Sequence, residues 1–181
     1  MFLDMKASTT IAEKLGHVKY FEMLSEYYSD LSDPVVEYYG EIYQYVGDEI
    51  VVSWNLENGL NDNNCIQCFF AMKKAVASQI DKYSEKFGLL PEFKAGFHVG
   101  RVTTGEIGVI KKDIIFTGDV LNAAARIQAL CNSFEVDILI SIDLIKRLKV
   151  ISCFHIKSFG EIELRGRDER IELVTVLRKD T

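Results

Sequence analysis

Apolar and polar positions along the chain follow two rhythms, one of period two and one near 3.6, and their succession predicts the elements. Residues 1–5 read as a strand, after which Thr9 or Thr10 can cap a helix through Leu15, with Glu13 three residues beyond Thr10 as in a capping box. A longer helical stretch over 18–38 follows, with a break or kink expected at Asp33-Pro34 and a stop at Gly40. Residues 41–46 and 50–54 form a hairpin around Gly47-Asp48-Glu49, 55–64 reads as a polar loop, and 65–87 carries a helix that Gly88 ends. Strands are expected over 93–99 and 101–109, joined at Gly100, and over 114–116, followed by an alanine-rich helix over 119–131. A strand at 137–140, a helix at 142–148 and three strands around Ile156, Ile162 and Val174 complete the pattern. Strands interleaved with helices and hairpins indicate an α+β sandwich with helices packed on a mainly antiparallel sheet.

Composition adds limits. A length of 181 residues, 48% of them hydrophobic, makes one ordinary domain over 1–181 with a real core. A formal charge of −6 leaves no broad basic face, so nucleic acid is not an expected partner. Cys65 and Cys68 lack a second pair or nearby histidine, and Cys131 and Cys153 stand alone. Reduced core thiols in a cytoplasmic setting are expected, not a structural zinc site. No run approaches the roughly 18 apolar residues of a spanning helix, and no contact of this domain with a membrane is expected. The chain opens directly inside a strand, which leads to the expectation of a catalytic domain excised from a longer protein, its upstream neighbour sensory or membrane-anchored.

Two acidic stretches carry the first chemistry. Asp4 ends an apolar strand in Phe2-Leu3-Asp4-Met5, and Asp48 sits in the turn of Tyr45-Val46-Gly47-Asp48-Glu49-Ile50. Carboxylates so placed can face each other across neighbouring strands, where a hard divalent cation would accept both and assist chemistry on phosphates. The plainer reading is a helix cap and a turn aspartate. The segment Met5, Lys6, Ala7, Ser8, Thr9 lies between strand and helix, so free N–H groups of the first helical turn can bind phosphate oxygens. Asn122 and Arg126 lie four apart and project from one helix face, with a small, smooth alanine surface between them; the alternative for Arg126 is a solvated arginine.

In their order, FLDM (2–5), YVGDE (45–49), GFHVGRVTTGEIG (96–108) and TGDVLNAAAR (117–126) resemble the class III nucleotidyl cyclases, the adenylate and guanylate cyclase catalytic domains, over essentially the whole chain. The resemblance implies the ferredoxin-like α+β fold of those domains. It makes Asp4 and Asp48 the ligands of two Mg²⁺ or Mn²⁺ ions, with the Met5 carbonyl as a further ligand. Arg101 would contact the terminal phosphates, Asn122 would orient the ribose, and Arg126 would stabilise the pentacovalent transition state. A guanidinium suits that task because it stays charged and offers several donors in fixed geometry. Arg165 takes the place of a family lysine that binds the triphosphate, although Arg167 and Arg170 stand nearby as equal candidates for surface charges. Ala7 and Ser8 depart from the family's usual glycine and aromatic.

The resemblance also implies a head-to-tail homodimer with two shared sites, Asp4, Asp48 and Arg101 of one subunit facing Asn122, Arg126 and Arg165 of the other. Gln44 and Ile115 occupy the base-selecting positions. Gln44 can both donate and accept and so can serve adenine, whereas Ile115 offers no hydrogen bond and Thr117, on the same strand face, stands in for it. ATP is the expected substrate and cyclic AMP with pyrophosphate the products; cyclisation of GTP, UTP or CTP, or a non-catalytic nucleotide-binding module, are the alternatives. Tyr43 and Tyr45 flank Gln44 on the opposite face, where core packing is expected. His98 reads as a satisfied sheet histidine and Lys111-Lys112-Asp113 as a solvated hairpin tip.

Overall fold

Strand β1 (Phe2–Met5) lies inside the main sheet, paired antiparallel with β3 (Glu49–Ser53) on one side and β4 (Phe93–Phe97) on the other. The computed structural model describes residues 1–110, 112–149, 153–164 and 170–179. Together with β2 (Glu41–Val46), β7 (Ile138–Ser141), β8 (Phe154–Glu163) and β9 (Arg170–Arg178), these strands form a seven-stranded sheet of order β2-β3-β1-β4-β7-β9-β8. Only β4 and β7 pair in parallel, so the sheet is mainly antiparallel as expected.

The period-two alternation sorts side chains onto two faces. Leu3, Met5, Ile50, Val52, Phe93, Phe97, Ile138 and Val174 join the larger core. There they meet Met23, Tyr27 and Leu31 of α2 (His17–Glu37) and Ile66, Phe69 and Met72 of α4 (Asn64–Ser78). On the other face, Leu139, Ile171 and Leu173 pack beneath Ala123 and Ile127 of α6 (Asp119–Ala129). The sheet is therefore covered on both sides, the second by α6 among the described residues. Gly96 makes that arrangement possible: a Cβ there would lie 2.4 Å from the Ala124 carbonyl oxygen and 2.3 Å from the Gln128 nitrogen.

Several expectations need correction. No capping box opens α1 (Ser8–Leu15): its N-cap is Ala7, without a side-chain cap. Helix α2 runs unbroken through Pro34, because burial of Leu31, Pro34 and Val35 outweighs the roughly 3 kcal/mol that an interior proline costs. The segment read as a polar loop contains α3 (Leu56–Leu60), capped where Asn55 Oδ1 accepts from the Asn58 N–H at 2.8 Å. The helix expected over 65–87 is two, α4 and α5 (Ile80–Phe87), parted at Gln79. A seam of Glu22, Glu26 and Asp30 on α2 against Lys82 and Lys86 fixes α5.

The two strands expected on either side of Gly100 do not pair with each other. Instead β5 (Thr103–Ile107) pairs with β6 (Asp113–Thr117) as a separate two-stranded arm. Helix α7 (Ile142–Ile145) is shorter than expected, and the strands placed around Ile156 and Ile162 are the single β8, with a register shift near Gly160. Cys65, Cys68 and Cys131 are buried free thiols whose pKa values burial pushes up to about 11, 12 and 12. Among the described residues no helix is long and apolar enough to cross a membrane.

Candidate active site

Alternation along β1 sends Leu3 and Met5 into the larger core and leaves Asp4 on the α6 face, half-buried, opposite Glu49 in register. The turn between β2 and β3 brings Asp48 beside it. Gly47 adopts φ 63° there, and the Tyr28 hydroxyl from α2 donates to the Gly47 carbonyl, pinning the turn. The Asp4 and Asp48 carboxyl groups lie within hydrogen-bonding reach. Burial first, and then Asp48, raises the Asp4 pKa, against the opposing pull of Lys94 and Gln128. Glu49 is raised by burial and by the two aspartates, and Tyr20 and Tyr28 are raised by burial and by Asp48.

Such a pair is under electrostatic tension that a divalent cation would relieve. Among the described residues no group of three or more His, Cys, Asp or Glu could hold a metal by itself. Two carboxylates without a full protein cage suit Mg²⁺ or Mn²⁺ shared with substrate phosphates. Asp4 Oδ2 also accepts from Gln128 Nε2 at 2.9 Å and ion-pairs with Lys94 Nζ at 3.2 Å. Sequence reasoning singled out neither residue. Gln128 ends the buried face of α6 that holds Ala123 and Ala124, and a buried polar residue on an alanine face was the available signal.

The loop after β1 departs from expectation in detail. Met5 is buried, leaving only its backbone to face the site. Lys6 is committed elsewhere: its N–H donates to the Glu92 carbonyl, and its ammonium pairs with Asp137 at 2.5 Å and Glu92 at 3.2 Å. It anchors the loop and has no reach left for a phosphate. Ala7 takes the left-handed conformation at φ 54°, ψ 29°, the geometry glycine adopts without cost. Ser8 hydrogen-bonds Tyr20, Thr9 is exposed, and the first-turn N–H groups of α1 have no side-chain cap.

Asn122 is exposed and Arg126 half-buried on α6, and neither has an intrachain polar partner among the described residues. At about 100° per residue, Arg126 points roughly 200° around α6 from Gln128. It turns away from the Asp4 of its own chain. Arg101 is exposed in the loop ahead of β5. Arg165 and Arg167 lie outside the described residues, and Arg170 is exposed at the start of β9.

Gln44 lies opposite Val51, exposed on β2, and Ile115 lies on β6. Their neighbours join β2 to the arm: Tyr43 stacks on Phe116 at 4.1 Å, and its hydroxyl accepts from the Phe116 N–H at 2.8 Å. Core packing was the wrong expectation for both tyrosines. A register shift between Ile42 and Gln44 turns Tyr43 toward the arm, and Tyr45, 47% exposed, lies tilted against Tyr28 with ring centroids 4.5 Å apart. Thr117 Oγ1 donates to the Thr103 carbonyl at 3.2 Å. A cavity of about 340 Å³ opens on the α6 face among Phe2, Val51, Phe97, Phe116, Leu121 and Ala124. Neither Gln44 nor Ile115 lines it. His98 sits 2.9 Å from Ser141 Oγ, as a satisfied sheet-edge histidine should.

Comparison with known proteins gives this arrangement its class. The family described as the adenylate and guanylate cyclase catalytic domain matches residues 1–177. The chain belongs to that family. It is 32% identical over 176 residues to adenylate cyclase 2 of Rhizobium meliloti (strain 1021), covering 97% of this chain and 48% of that protein. It is 26% identical over 182 residues to an adenylate cyclase of Anabaena cylindrica, covering 97% of this chain and 36% of that one. The chain thus spans less than half the length of either relative. Among solved structures, a bacterial light-regulated adenylyl cyclase superposes with TM-score 0.84 at 24% identity, over 97% of this chain and 50% of that one. The adenylyl cyclase CyaB from P. aeruginosa gives 0.83 at 21%, over 99% and 92%.

Proposed function

We propose that this domain is an adenylate cyclase that converts ATP to 3′,5′-cyclic AMP and pyrophosphate at sites shared between two copies of the chain. The observation that carries the reading is the orientation of α6. Its Gln128 holds the chain's own Asp4, while Arg126 and Asn122 face the other way with no intrachain polar partner among the described residues. A half-buried arginine in a chain of net charge −6 is suited to a phosphoryl group presented by a second subunit. The β5–β6 arm supports dimerisation, since Ile107, Val109, Ile110 and Ile114 on it are all more than half exposed.

In this reading Asp4, Asp48 and the Met5 carbonyl hold two Mg²⁺ or Mn²⁺ ions. When bound, these ions supply charge neutralisation for the triphosphate and acidify the ribose 3′-hydroxyl. The uncapped N–H groups at the start of α1 and the Arg101 guanidinium bind the β- and γ-phosphates. Asn122 of the second copy fixes the ribose so that O3′ lies in line with the departing oxygen. The O3′–Pα bond forms, the bond from Pα to the bridging oxygen breaks, and the hydroxyl proton leaves to solvent. Arg126 neutralises charge gathered on the pentacovalent phosphorus, with no covalent enzyme intermediate. Arg165 joins the triphosphate contacts.

Support for adenine comes from Thr117. Its hydroxyl proton is donated to the Thr103 carbonyl, leaving lone pairs that match the 6-amino group of adenine and not the 6-oxo group of guanine. Gln44 supplies the second polar contact. The test is cyclic nucleotide formation at high protein concentration with Mn²⁺, offering ATP, GTP, UTP and CTP separately. Cyclic AMP as sole product is expected. Another cyclic product overturns the base assignment and keeps the mechanism; no product from a verified dimer leaves a nucleotide-binding module.

A further inference from the structure

The geometry points to Gln128, aided by Lys94, as a positioning residue that holds Asp4 so that one carboxylate oxygen is spoken for and the other is offered to the ion. The inference rests on the metal-binding reading of Asp4. Three facts carry it. Both contacts converge on the same atom, Oδ2, from Gln128 Nε2 at 2.9 Å and Lys94 Nζ at 3.2 Å. Both donors are themselves fixed: Gln128 is 5% exposed and Lys94 7%, and Lys94 also donates to Asn132 Oδ1 at 3.0 Å. The backbone of Gln128 is seated directly on the sheet, where a Cβ on Gly96 would lie 2.3 Å from its nitrogen.

A carboxylate beside another carboxylate would otherwise swing its χ1 and χ2 to separate the charges. The two donors remove that freedom and leave Oδ1 as the oxygen directed at the cation. Outer partners of this kind typically change metal affinity or activity by 10–100-fold when lost. Gln128 is uncharged, so removing it alters orientation without altering the site's net charge.

The experiment uses Gln128→Leu, with Gln128→Met as a second variant of similar volume. The Mn²⁺ concentration for half-maximal cyclisation should rise on the order of tenfold. Independently of turnover, the melting shift that Mn²⁺ produces with 3′-deoxy-ATP, which cannot cyclise, should shrink. Mixed dimers separate positioning from general damage to α6. One subunit carries Asp48→Ala and the other Arg126→Ala, so the single intact site takes its aspartates from the second and its arginine from the first. Adding Gln128→Leu to the aspartate donor should raise the Mn²⁺ requirement; adding it to the arginine donor should not. Equal effects from both placements, or an unchanged Mn²⁺-dependent melting shift in both single variants, overturn the proposal. A parent protein with no Mn²⁺-dependent shift would instead overturn the metal-site reading beneath it.

Discussion

Gly96 and Ala124 are in backbone contact: the space a Cβ at residue 96 would need is occupied, at 2.4 Å, by the Ala124 carbonyl oxygen. The helix carrying Asn122, Arg126 and Gln128 is seated on the sheet at that point. Gly96→Ala must push α6 outward and is expected to cost about 1–3 kcal/mol, as overpacking does. Urea denaturation measures it, and a loss below about 0.5 kcal/mol would show that α6 is not seated as described.

Asp48→Asn should separate stability from function. In the metal-free protein, burial and Asp48 raise the Asp4 pKa, so the folded state holds its proton more tightly than the unfolded chain. The parent is therefore penalised at neutral pH and relieved as pH falls through the raised pKa. Without metal the variant should be the more stable at pH 7, and the gap should close on acidification. Mn²⁺-dependent pyrophosphate release should fall by at least about 100-fold. A variant less stable than the parent at neutral pH contradicts the repulsion.

Asp137 has the opposite sign. Burial works against its charge, but hydrogen bonds and charges from Lys6 and Lys73 outweigh it and hold the pKa below the usual value. Its contribution is present above the unfolded pKa near 4 and is lost as pH falls through the folded one. Because the carboxylate is 42% exposed, Asp137→Asn should cost only about 1 kcal/mol at pH 7. Melting curves of parent and variant should converge once the pH has fallen below the folded pKa of Asp137; a gap that persists in acid means the loss is packing, not charge.

Ala7 occupies the left-handed region, where a Cβ costs about 1–2 kcal/mol. Ala7→Gly removes that cost against a smaller entropic loss, so stability should rise by up to about 1 kcal/mol with activity retained. Ala7→Val should lose both. Thermal melting of the pair decides it, and an order of Val above Gly would mean that the loop has another shape.

Shared sites predict complementation. Asp48→Ala and Arg126→Ala should each be inactive, and mixed in equal amounts they should recover about a quarter of parental activity, because half the dimers form with one intact site of two. No recovery under conditions of subunit exchange would refute the shared site.

How much of this was legible in the sequence depends on range. The β2–β3 turn and the placing of Asp4 and Asp48 follow from alternation and turn chemistry, which act over a few residues. The contact from Gln128 to Asp4 spans 124 positions and has no local signature. Tyr43 was misplaced because one irregular position in β2 reverses which face a side chain takes. The capping box failed because the chain reaches α1 in a left-handed turn at Ala7, leaving no residue in the extended geometry a side-chain cap needs. The continuity of α2 through Pro34 is a tertiary outcome that overrides propensity.

The inner position of β1 bears on how the protein folds. Its partners on β3 and β4 lie some 45 and 90 residues downstream, so β1 stays unpaired and apolar until much of the domain exists. Long loops must close before those pairings reward the chain, which makes for slow folding with an aggregation-prone interval. It also makes residues 1–5 costly to lose: removing them would open a seam through the sheet and take Asp4 in the same cut.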